Sequence, residues 1–131
     1  MGLDMYLTGE KYLLTDYENP ANNLTEDGFP LERKFVRLGY WRKHPNLHGF
    51  IVETFALGED TCQQINLDTD DIERIIEAVT RDELPHTEGF FFGESDGSEK
   101  SDDLRILKAA LEWLRTPEVN VWRSVYYQAS W

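Results

Sequence analysis

One cysteine, Cys62, stands among 131 residues, so the chain can form no internal disulfide. A small disulfide-stapled domain is excluded, and stability has to come from a core. Long apolar runs are also missing: no stretch approaches the roughly 20 residues of a membrane helix. The opening residues MGLDMYLTGEKYLLTDYE place an acid at Asp4 and lack a basic start before an apolar run. No signal peptide is expected, a cytoplasmic location fits, and the sequon NLT at 23–25 is without use. Positive charge is scarce. Thirteen Lys and Arg against 25 Asp and Glu leave a net charge of -12, which disfavours direct contact with nucleic acid or an anionic membrane. Neither G-x-x-x-x-G-K-[ST] nor G-x-G-x-x-G occurs, so no standard nucleotide-cofactor site is supported and no cofactor is expected.

What is present is enough for one folded domain over 1–131. The chain is 40% hydrophobic and 13% aromatic, which sustains a core despite a mean hydropathy of -0.55. Leu3, Met5 and Leu7 alternate with polar neighbours, a strand with one buried face. ENPANNLTEDGFP at 18–30 is a loop by its Pro, Gly, Asn and Asp. KFVRLGYWRK at 34–43 reads as a strand. Strict alternation places Phe35, Arg37, Gly39, Trp41 and Lys43 on one face and Val36, Leu38, Tyr40 and Arg42 on the other. Pro45 opens a helix that Gly58 stops. TCQQINL at 61–67 is a short strand, and Asp68 or Thr69 caps a helix with Ile72, Ile75, Ile76 and Val79 as its stripe. GFFFG at 89–93 is a short buried strand or turn. A third helix starts at Ser101 and stops at Thr116-Pro117, and EVNVWRSVYYQASW is a last strand. Helices and strands do not alternate regularly, so the expected fold is α+β: an antiparallel or mixed sheet of about four strands with about three helices packed on it.

Three stretches have residues that could do chemistry. GESDG at 93–97 matches G-x-S-x-G, after an apolar segment and before a helix. In the hydrolase fold with that motif the histidine follows the serine, whereas His44, His48 and His86 all precede Ser95. A turn is the simpler reading there. His44 and His48 are four apart, with Cys62 or His86 as a third ligand, but position 45 is Pro where a zinc-protease helix has Glu. No bound metal is expected. GYWRKHPNLHGF at 39–50 is the densest candidate. Tyr40 and Trp41 offer ring faces, Arg42, Lys43 and a protonated His44 offer cations, and Asn46 and the helix start add N–H donors. That set suits an anionic ligand with a flat ring, and the candidate ligand residues are Tyr40, Trp41, Arg42, Lys43, Asn46, His48 and Phe91. It equally suits an edge strand whose cations pair with the excess acids. Both stretches 40–48 and 89–93 are aromatic and glycine-flanked, and they are expected to lie together and line the main concave surface.

Charge is unevenly spread. Arg33, Lys34, Arg37, Arg42 and Lys43 fall within eleven positions, while acids crowd 68–77 and 94–103. Asp70, Asp71, Glu94, Asp96, Glu99, Asp102 and Asp103 are the candidate contacts to a protein partner, one that is basic or handles nucleic acid.

MGLDMYL, GYWRKHPNLHGF, GFFFG and YYQASW together resemble a family of small uncharacterised proteins of phages and bacteria. Its blocks run M-G-L-D-M-Y-L, Y-W-R-K-x-N-x-I-H-x-W-F, a Cys before a helix, G-F-F-F-G and Y-Y-x-S-S-W, spanning nearly the whole chain. The resemblance points to Asp4, Tyr40, Trp41, Arg42, Lys43, Asn46, His48, Cys62, Phe91, Gly93 and Trp131. Pro45, Phe50 and the acidic GESDGSEKSDD depart from the pattern. The resemblance implies a phage or mobile-element context, in the cytoplasm of a host cell. The expected function is therefore that of a small acidic binding protein, an accessory factor or an inhibitor of host defence working by protein contact. The alternative is binding or turnover of a nucleotide-like anion at Tyr40–His48, with His48 as general base and Arg42 and Lys43 as anion clamps.

Overall fold

A computed structural model describes residues 2–89 and 92–131. In chain order the elements are β1 (Asp4–Leu13), a single 3-10 turn (Pro20–Asn22), β2 (Thr25–Glu26), β3 (Phe29–Pro30), β4 (Arg33–Arg42) and α1 (Pro45–Phe55). Then follow β5 (Ile65–Leu67), α2 (Thr69–Thr80), α3 (Lys100–Arg115) and β6 (Val121–Ser130). The main sheet has the order β4-β1-β6-β5 and is antiparallel throughout, with the helices on one face: an α+β fold. The terminal strands are direct neighbours, Asp4 facing Ser130 and Leu13 facing Val121. Within the segment expected to be loop, β2 and β3 pair as a small ribbon, turned by Asp27 and Gly28 at φ 52° and 84°. The strand expected over 61–67 forms only at Ile65–Leu67.

Alternation decides which side chains meet the helices. Met5 and Leu7 of β1, Trp41 of β4, Ile65 and Leu67 of β5, and Val125, Tyr127 and Ala129 of β6 are buried. Against them pack Leu47 and Ile51 of α1, Ile72, Ile75 and Val79 of α2, and Ile106, Leu107 and Ala110 of α3. Each large side chain among these contributes about 1.5–3 kcal/mol by leaving water. Gly39 sits where α3 crosses β4, and any side chain there would collide with Ile106. α2 begins with a reciprocal cap: Asp71 N–H donates to Asp68 Oδ1 at 2.8 Å, and Asp68 N–H donates to Asp71 Oδ2 at 3.0 Å.

The face assignment of β4 differs from strict alternation, and the cause is a β-bulge. Leu7 faces Gly39 and Thr8 faces Arg37, so Leu38 is an extra residue. One extra residue swaps the faces beyond it. Arg33, Phe35 and Arg37 before the bulge therefore share a face with Tyr40 and Arg42 after it, while Gly39 and Trp41 turn to the core.

Candidate functional site

At the end of β4 the chain turns sharply. Lys43 adopts φ 54°, its N–H bonded to Leu3 O at 2.8 Å, and His44 follows as the residue before Pro45. α1 thus starts beneath the sheet with His44 and His48 both buried. Proline supplies no N–H at the first helical position, and no side chain of the helix itself caps the turn. The next amide, Asn46 N–H, is instead satisfied from far along the chain, by Ser95 Oγ at 3.1 Å.

Ser95 begins a continuous chain of hydrogen bonds. Its Oγ lies 2.7 Å from His44 Nδ1. On the other side of the ring, His44 Nε2 lies 2.7 Å from Asp103 Oδ2. Trp41 Nε1–H donates to the second oxygen, Asp103 Oδ1, at 2.8 Å. Asp103 is only 1% exposed, and its oxygens are satisfied by these partners in the first turn of α3, the positive end of that helix. In the neutral imidazole the nitrogen facing the carboxylate has the proton, which leaves Nδ1 to accept. In that tautomer, with Asn46 N–H on one lone pair of Oγ, the serine hydroxyl donates to Nδ1. Ser95 is half-buried at the mouth of a cavity of about 170 Å³ that His44, Asn46, Val79, Leu84, Glu99 and Lys100 help to line. Gly93 holds the approach to Ser95. It has φ 76°, and a Cβ there would lie 2.9 Å from Lys43 Cβ, so any other residue strains this corner.

One turn further along α1 is a second relay. His48 Nδ1 is 2.6 Å from the Tyr127 hydroxyl and His48 Nε2 is 2.9 Å from Asp60 Oδ2. Trp131 Nε1–H donates to Asp60 Oδ1 at 3.2 Å. Phe92 packs edge-on against His48, and also against Trp131. Burial holds the Tyr127 phenol well above its usual pKa, and the nearby Asp60 and Cys62 push the same way. It is therefore a phenol that donates to His48. His48 and Asp60 border an open cavity of about 570 Å³ shared with Glu53, His86 and Phe92.

Among the described residues, no helix lies on the opposite face of the sheet. Tyr6, Tyr12, Phe35, Tyr40, Trp122 and Tyr126 line it, with Arg33, Arg37 and Arg42 between them. Trp122 is 72% exposed and Phe35 60%. Arg37 stacks on Tyr6 at 4.6 Å and Arg33 on Tyr12 at 5.5 Å from the ring centres. Tyr40 O–H donates to Asp4 Oδ1 at 2.5 Å, and Arg42 reaches the same oxygen at 3.3 Å. That bond to a carboxylate raises the Tyr40 pKa. Beside this face, β4 is a ten-residue edge strand that, among the described residues, pairs with β1 alone.

The structure divides the residues of GYWRKHPNLHGF among different environments. Tyr40 and Arg42 are on the open face, Trp41 and His48 are buried, and Lys43 is exposed at the strand–helix corner. Asn46 uses its Oδ1 to accept Thr87 N–H at 3.0 Å. The expected neighbourhood with 89–93 is visible where Phe92 meets His48 and Gly93 meets Lys43, while Phe91 lies outside the described residues. Of the acids, Asp70, Glu94, Asp96 and Asp102 are exposed. Asp71 and Asp96 are tied into local backbone caps, and Glu99 accepts the N–H groups of Asp96 and Gly97. Asp103 is corrected outright: grouped with the solvated acids by sequence, it is buried because its oxygens serve Trp41 and His44. Among the described residues no three His, Cys, Asp or Glu side chains converge as metal ligands. No helix there is long and apolar enough to cross a membrane. Asp60 and Tyr127 carry no local sequence mark of a site, and the order of Ser95 after all three histidines departs from the hydrolase pattern. Two histidines a turn apart at a helix start were the available signal.

Comparison with protein-family models, curated proteins and solved structures found no match to this chain.

Proposed function

We propose that this chain is a binding protein that takes an acidic, extended segment of a protein partner on the open face and free edge of its sheet. One observation carries the reading: Trp122, Phe35, Tyr12 and Tyr40 are 72%, 60%, 46% and 45% exposed on one face, next to an unpaired strand edge. Exposed aromatics in a contiguous patch mark an interaction surface, and a long free edge offers backbone partners for an added strand. Charge selects the occupant. β4 bears Arg33, Lys34, Arg37 and Arg42, so antiparallel pairing of two copies along this edge would set cation against cation. An acidic strand is complementary. The resemblance to phage proteins supports a role as an accessory factor or an inhibitor of host defence acting by such contact.

A second reading, docking of the acid-rich helix starts on a basic partner, retains Asp70, Glu94 and Asp102 as exposed carboxylates. The small-anion reading retains Tyr40, Arg42, Lys43 and Asn46, since Trp41 and His48 are buried. The test is capture of the partner from infected-cell extract by the parent chain, followed by quantitative binding of that partner to two variants. Trp122→Ala with Arg37→Glu should weaken binding at least tenfold, while Asp70→Lys with Glu94→Lys should leave it within threefold. The reverse pattern replaces the sheet-face reading with the acidic-docking one.

A further inference from the structure

We propose that Ser95 is an activated nucleophile and that the cavity beside it accepts the acyl group of a small, uncharged carboxylic ester. Three features on separate segments meet here. The nucleophile–base contact, Ser95 Oγ to His44 Nδ1, is 2.7 Å. The base is oriented by a buried carboxylate, Asp103 Oδ2, at 2.7 Å from Nε2. That carboxylate is itself fixed by Trp41 Nε1–H at 2.8 Å. This is the geometry by which an alcohol is made nucleophilic, recognised by roles and distances and not by chain order. Ser95 also lines a cavity whose apolar wall is Val79 and Leu84. The start of α1, with Asn46 N–H donating to Oγ at 3.1 Å, sets positive potential beside the nucleophile and favours its alkoxide character.

The cavity defines the substrate class. Its volume of about 170 Å³ accommodates a short acyl group. Glu99 Oε1 lies 4.0 Å from His44 Nδ1, and Asp82 is also on the lining, so a carboxylate on the acyl group is repelled. Lys100, the cation of the lining, is engaged by Asp82 at 3.1 Å and by Thr80 O at 3.0 Å.

The step balances without any further reagent. Ser95 Oγ bonds to the ester carbonyl carbon as its proton moves to His44 Nδ1. The tetrahedral adduct collapses, the C–O bond to the alcohol breaks, and His44 returns the proton to the departing oxygen. Water then attacks the acyl-serine, giving its proton to His44, and the acid leaves as Oγ recovers the proton. Asp103 and Trp41 act as positioning residues and touch no reacting atom.

The test is independent of the sheet-face reading. The full chain is treated with a fluorophosphonate probe and digested for mass mapping, and turnover of p-nitrophenyl acetate is followed in parallel. Expected are covalent labelling at Ser95, its loss in Ser95→Ala, and a fall of about a hundredfold or more in labelling rate in His44→Gln. Asp103→Asn should change the pH profile of labelling, which a purely structural carboxylate would not do. Melting temperatures establish that each variant is folded; if His44→Gln is not, the Ser95→Ala comparison and the pH profile of the parent decide alone. A folded parent that leaves Ser95 unlabelled overturns the proposal. So does ester hydrolysis that is undiminished in Ser95→Ala, or a labelling rate that folded His44→Gln retains.

Discussion

His44 and His48 are one helical turn apart, and each bridges a hydroxyl to a carboxylate that also accepts an indole N–H. They differ in which end is buried. In the first relay the carboxylate of Asp103 is 1% exposed and the Ser95 hydroxyl is at a cavity mouth. In the second the Tyr127 hydroxyl is in the core, also 1% exposed, and the side chain of Asp60 is 26% exposed. Reversing the direction changes what the relay can do. A buried acid with an accessible alcohol presents an oriented base to a group that can react. A buried phenol with an accessible acid presents nothing to attack, and instead ties α1, the loop at Asp60, β6 and Trp131 together. The same succession of groups, hydroxyl, imidazole, carboxylate and indole, thus gives a candidate reactive centre in one place and a clamp in the other.

The largest expected effect tests the buried ends. Asp103→Ala leaves His44 Nε2–H and Trp41 N–H without an acceptor in the core, and should cost about 3–5 kcal/mol. Asp60→Ala removes a partly exposed acceptor from His48 and Trp131 beside an open cavity, where solvent can substitute, and should cost about 1–2 kcal/mol. Urea unfolding of both variants checks this. Equal losses would mean that burial does not distinguish the relays.

Next in size is Tyr127→Phe, which strips His48 Nδ1 of its donor in the core and should cost about 1–3 kcal/mol. It has a pH signature as well. Burial raises the Tyr127 pKa above the ordinary 10.0, so the unfolded chain loses its proton before the folded one. The stabilisation from this group is complete below pH 10.0 and declines as pH rises from there through the folded-state value. Parent stability should therefore fall more steeply above pH 10.0 than that of Tyr127→Phe, and parallel curves in alkaline denaturation would refute the clamp's protonation state.

How far these relays could be read from the residues follows from their range. Asp68 announced its helix through a local cap, Pro45 marked the start of α1, and the alternation of β1 and β6 marked two strands, all within a few neighbours. The bulge at Leu38 had no local mark, and it alone moved Phe35 and Arg37 to the face of Tyr40. The relays join residues 51, 59 and 79 positions apart, and only the completed sheet brings them together. Asp103 shows the limit most plainly: beside Asp102 in a run of acids it reads as solvated, and only the helical turn that points it inward separates the two.

The smallest stability effect is expected at the accessible alcohol, and it sharpens the contrast with Tyr127. Ser95→Ala removes one hydroxyl from a half-buried loop position. It leaves Asn46 N–H and His44 Nδ1 without their partner, but both face the cavity, where water can take its place. The loss should be about 0.5–1 kcal/mol, at the low end for a hydrogen bond and below that of Tyr127→Phe. Ser95→Thr should keep the oxygen and fall closer to the parent. If Ser95→Ala instead costs as much as Tyr127→Phe, the serine is a structural keystone that closes the loop onto α1, and the first relay becomes a second clamp. If it costs little while covalent labelling disappears, the hydroxyl is held for reaction and not for folding. Paired urea unfolding and fluorophosphonate labelling of the same samples separate the two outcomes.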